Sequence, residues 1–121
     1  MIRLFTRGTR PAATPPGTRV SYNRCGELGM AQLTILDGKF AGTVFELTSG
    51  QDHEVGTARR AEVRITERGV SYNHARFEAD DEGGFNLVDL RSSQGTSING
   101  DELEPLVPHP VAHGDQIGFG S

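Results

Sequence analysis

The chain has 121 residues, enough for one domain of ordinary size. Hydrophobic residues make up 35%, with no Trp and 16 Gly, which permits a modest core and favours short strands broken by turns. Charge is unevenly spread. Residues 1–30 carry five Arg against Glu27, whereas residues 31–121 carry fifteen acidic groups against seven basic ones. So acidic a second part argues against nonspecific nucleic-acid binding. No apolar run approaches the roughly 20 residues that cross a bilayer, and the start lacks a signal-peptide core. Cys25 is the single cysteine, so no internal disulfide forms. A cytoplasmic location with no membrane partner is the expectation.

Residues 1–30 open with a basic, proline-bearing stretch. Arg10–Thr18 holds Pro11, Pro15, Pro16 and Gly17, which continue neither a helix nor a central strand. Its apolar residues are few and aperiodic. This segment is expected to be a disordered tail, with a folded domain over residues 31–121.

From Ala31 the pattern changes to short apolar runs. Leu33 and Ile35 share a face, then Asp37-Gly38 turns the chain. Phe45 and Leu47 follow, then Thr48-Ser49-Gly50. Val63 and Ile65 alternate with Arg64, and Ala75, Phe77 and Ala79 with Arg76 and Glu78. Asp80–Gly84 is a hairpin loop before Phe85–Leu90. Asn99-Gly100 is a tight-turn pair. A period of two with turns about every ten residues predicts an all-β sandwich or barrel. His109 and His113 are four apart, but Pro110 interrupts any helix between them, so no metal site is expected. Cys25 has no argued partner as a nucleophile, and no catalytic motif stands out. The chain reads as a non-enzyme without a cofactor.

Four landmarks stand in order: Gly56; Val70-Ser71-Tyr72-Asn73-His74-Ala75; Asp89-Leu90-Arg91-Ser92-Ser93-Gln94-Gly95-Thr96-Ser97-Ile98-Asn99-Gly100; and His113-Gly114-Asp115-Gln116-Ile117-Gly118. With Leu36–Leu47 as a first hairpin, residues 31–119 resemble the forkhead-associated (FHA) family. The resemblance implies an eleven-strand sandwich of two mainly antiparallel sheets. Loops at one end would bind a phosphothreonine peptide as a signalling interaction module. It implies Ser71, Tyr72, Asn73, Ser93 and Gln94 at the ligand. Gly56, His74, Gly95, Thr96 and Asn99 would support the binding loops.

The sequence departs from the family in three places. Gly-Arg reads Gly56-Thr57, so the phosphate loses the guanidinium best matched to it, and Thr57 at that ligand-contact position offers one hydrogen bond without charge. Arg59 and Arg60, two and three residues on, are either substitutes or solvated surface charges. Asn-Gly-Thr reads Gln94-Gly95-Thr96, which puts the same amide on a longer stem. The family's last strand is missing, which would leave Ala31–Leu36 an unpaired edge. Two functions stay open: phosphothreonine-dependent protein binding, and an FHA-like scaffold that binds a partner without phosphate. A phosphorylated Thr6, Thr9, Thr14 or Thr18 of the chain's own tail is a further candidate ligand.

Overall fold

The computed structural model describes residues 17–25 and 30–120. It contains eleven strands among the described residues and no helix. They are β1 (Thr18–Cys25), β2 (Met30–Ile35), β3 (Val44–Leu47), β4 (His53–Gly56), β5 (Val63–Arg64), β6 (Ala75–Ala79), β7 (Phe85–Asp89), β8 (Thr96–Ile98), β9 (Asp101–Glu102), β10 (His109–Pro110) and β11 (Gln116–Phe119). One sheet runs β3-β2-β1-β11-β8-β9 and the other β10-β7-β6-β4-β5. Every pairing is antiparallel except β4 with β5. No helix among the described residues is long and apolar enough to cross a membrane.

The alternation in sequence becomes the core. On β2, Ala31, Leu33 and Ile35 point inward, and on β6 Ala75 and Phe77 do so. Phe77 is the hub, ring-stacked on Tyr22 at 6.3 Å and edge-on to Phe85 and Phe119 at 6.3 and 6.5 Å. Such offset and T-shaped contacts add to what area burial alone supplies. Asp80 Oδ1 accepts from the amides of Glu82 and Gly84, which shapes the expected hairpin loop.

Strand β1 corrects the tail expectation. Thr18–Cys25 lies within residues 1–30 yet sits mid-sheet, between β2 and β11. Thr18 faces Phe119 and Val20 faces Ile117 on one side; Val20 faces Ile35 and Tyr22 faces Leu33 on the other. The signal was small: Val20 and Tyr22, two apart, are both fully buried. Two apolar residues are too few to mark a strand locally; two flanking ladders make one. This strand also occupies the sheet position expected to be empty. Strand β2 is therefore flanked by β1 and β3, and the predicted open edge at Ala31–Leu36 does not exist. The expectation for residues 1–16 and 26–29 lies outside the described residues.

Candidate functional site

Three segments meet at one end of the sandwich: the end of β4, the loop before β6 and the loop after β7. Gly56 closes β4, and the backbone of the Ser71 loop crosses directly over it. A Cβ there would lie 2.2 Å from Tyr72 O and 2.9 Å from Ser71 O, so glycine is required by contact. The chain beyond keeps this pairing: Thr57 N donates to Ser71 O and Ala58 N to Tyr72 O, both at 3.1 Å.

His74 joins the two loops. It is fully buried and edge-on to Phe119. Its Nδ1 accepts from the Ser71 amide at 3.0 Å. The ring proton therefore sits on Nε2, which donates to Gly95 O at 2.9 Å. Burial holds the ring below its ordinary value of 6.5 and favours the neutral form. The ring thereby ties the backbone at Ser71 to the backbone at Gly95.

Asp89, 2% exposed, organises the second loop. Its Oδ1 accepts from Ser92 Oγ and Thr96 Oγ1, each at 2.6 Å, and its Oδ2 from the Ser92 amide. Ser92 Oγ accepts in turn from Gly95 N. Gly95 has φ 90°, a left-handed angle that suits glycine. Ser92 stood in the Asp89–Gly100 landmark without a role of its own; its bonds to Asp89 and Gly95 give it one.

Above this base two hydroxyls face outward. Ser71 Oγ lies 3.0 Å from Ser93 Oγ and accepts from the Ser93 amide at 3.0 Å. Tyr72, Asn73, Ser93 and Gln94 are exposed around them, with Tyr72 63% exposed. Thr57, half-buried, adjoins Ser71 through its backbone.

Two candidates lie elsewhere. Arg60 lines a shallow hollow on the outer sheet face with Asp52, Glu54, Glu62, Arg76 and Glu78. The crossover from β4 to its parallel neighbour β5 carries it there, among four carboxylates. Arg59 is exposed. Asn99 sits past the far end of β8, where its Nδ2 donates to Asp115 and its Oδ1 accepts from Gln116 N, each at 2.9 Å. It fixes the β8–β9 turn against the start of β11, three residues from Thr96, and makes no bond to the Ser71 or Ser93 loop. His113 Nδ1 accepts from Arg24 N. No group of three or more metal-ligating side chains occurs among the described residues.

The model of the FHA domain family matches residues 53–120, more than half of the chain. The chain belongs to the FHA domain family. An FHA domain-containing protein of Arabidopsis thaliana is 32% identical over 90 residues. That alignment covers 74% of this chain and 23% of the relative, so the chain spans about a quarter of that protein's length. The solution structure of the FHA domain of an Arabidopsis thaliana hypothetical protein is similar at 26% identity and a TM-score of 0.66, over 94% of this chain and 87% of that one. A yeast FHA domain, solved with a doubly phosphorylated (pT) peptide, has the same fold at 22% identity and a TM-score of 0.57, over 98% and 79% of the two chains.

Proposed function

We propose that this FHA domain binds phosphothreonine-containing segments of partner proteins through the loops carrying Ser71, Ser93 and Gln94. The observation behind this reading is the outward pair of hydroxyls, Ser71 and Ser93, resting on the buried His74 and Asp89. A phosphate oxygen would take the place of the Ser71–Ser93 contact and accept from both hydroxyls and the Ser93 amide. Solved FHA structures whose subject is phosphothreonine-dependent interactions, or which hold a pT peptide, support the ligand class. Gln94 would hold the peptide backbone beside the phosphate. A signalling role in a reducing, cytoplasmic setting is the context this reading implies.

Fluorescence anisotropy with a degenerate phosphothreonine peptide pool and its unphosphorylated counterpart tests the proposal. The phosphorylated pool should bind more tightly, and Ser71→Ala should weaken it by about 1.5–3 kcal/mol, the worth of a hydrogen bond to a charged group. Equal affinity for both pools would reject the phosphate reading. It would favour the second reading, a scaffold that binds a partner without phosphate, for which Thr57 in place of arginine is the supporting observation.

A ligand in cis is a related proposal. Gly17 N donates to Arg68 O, three residues before Ser71, so the residue that follows the 1–16 segment lies near the Ser71 loop. Thr6, Thr9 and Thr14 lie in that segment, whereas Thr18, the fourth candidate, is buried in β1 opposite Phe119 and is ruled out as the ligand; tethering supplies an effective concentration up to about millimolar. Phosphorylation of the segment should then lower the affinity for added peptide. Unchanged affinity would reject the cis ligand.

A further inference from the structure

We propose that Arg64 is the cation of the phosphate site, in place of the arginine that Thr57 replaces. The inference rests on the phosphothreonine reading above. In β5, Val63 points into the core and Arg64 outward, and Arg64 pairs with Gly56 in register. That is the glycine over which the Ser71–Tyr72 backbone crosses. Arg64 Nε donates to Thr57 O at 3.1 Å, and Thr57 N donates to Ser71 O at 3.1 Å. The guanidinium is thus anchored on Thr57 itself, two hydrogen bonds from Ser71.

Among the described residues its remaining donors have no partner. The ion pairs among the described residues are Arg19 with Asp37 and Arg76 with Glu78, and neither involves Arg64. Arg60 lies among carboxylates instead. Arg59, Arg68 and Arg91 are exposed, and none has a guanidinium hydrogen bond among the described residues. A free arginine loses part of its rotamer entropy on binding. Arg64 has already surrendered some of it to the Thr57 carbonyl. A guanidinium so placed presents its two Nη groups for bidentate contact with phosphate oxygens.

The test uses the same two peptide pools with the unaltered chain, Arg64→Gln, Arg64→Lys and the double variant Thr57→Arg/Arg64→Gln. Arg64→Gln should lower affinity for the phosphorylated pool by about ten- to a hundred-fold, leave the unphosphorylated pool unchanged and leave Tm unchanged. Arg64→Lys should fall between, since it keeps charge and loses the fork. Thr57→Arg should restore binding in the double variant. The Arg64 Nε–H resonance should shift when O-phosphothreonine is titrated into the unaltered chain. A phosphate preference that survives Arg64→Gln undiminished, or a still Nε–H signal, overturns the role of Arg64 and leaves the phosphothreonine reading standing. No phosphate preference in the unaltered chain overturns both.

Discussion

His74→Ala is expected to lower stability by about 2–4 kcal/mol and to free the Ser71 and Gly95 loops from one another. The substitution removes a fully buried ring, two hydrogen bonds and an edge-on contact with Phe119. The Ser71 amide and Gly95 carbonyl lose their partner, and a cavity opens under both loops. Denaturant unfolding and amide exchange check this. A stability within about 0.5 kcal/mol of the unaltered chain, with loop amides still protected, would refute it.

The same ring predicts a pH dependence. Burial lowers the folded-state pKa of His74 below its ordinary 6.5. On acidification the unfolded chain therefore binds the proton first. The contribution of His74 is complete above pH 6.5 and is lost as pH falls through 6.5 towards the folded value. Protonation would also replace the Nδ1 acceptor of the Ser71 amide with a donor. The stability gap between the unaltered chain and His74→Ala should narrow on acidification below pH 6.5. A gap that widened instead would contradict the neutral, Nε2-protonated assignment.

Asp89→Ala is expected to cost about 3–4 kcal/mol and to release the loop from Leu90 to Gly95. The buried carboxylate accepts two hydroxyls at 2.6 Å and one amide at 3.2 Å, and its loss leaves Ser92 and Thr96 without an acceptor. Because Ser92 Oγ in turn accepts from Gly95 N, the change reaches the carbonyl that His74 holds. Asp89→Asn keeps an oxygen for the hydroxyls and should cost less. Thermal unfolding of the two variants separates them, since 1 kcal/mol shifts Tm by about 4–8 °C in a domain of this size. Equal Tm values for Asp89→Ala and the unaltered chain would remove Asp89 from its structural role.

The sandwich and its period-two strands were legible in the residues alone. Alternation at Leu33 and Ile35 or Ala75 and Phe77 is local, because successive side chains of a strand point to opposite faces whatever it pairs with. The motif from Ser71 to His74 and the run from Asp89 to Asn99 likewise bring their chemistry in fixed local spacing. Tertiary structure decided what depends on distant partners. Thr18–Cys25, with only Val20 and Tyr22 as apolar signals, is a strand because β2 and β11 supply ladders on both sides. Arg60, three residues from Thr57, is carried among carboxylates by the crossover to β5, whereas Arg64, seven residues away, returns to the Thr57 carbonyl. Asn99 holds Asp115 and Gln116 rather than the Ser71 and Ser93 loops because β8 runs away from them. Sequence separation measures contour along the chain, and strand register sets which side chains meet across it.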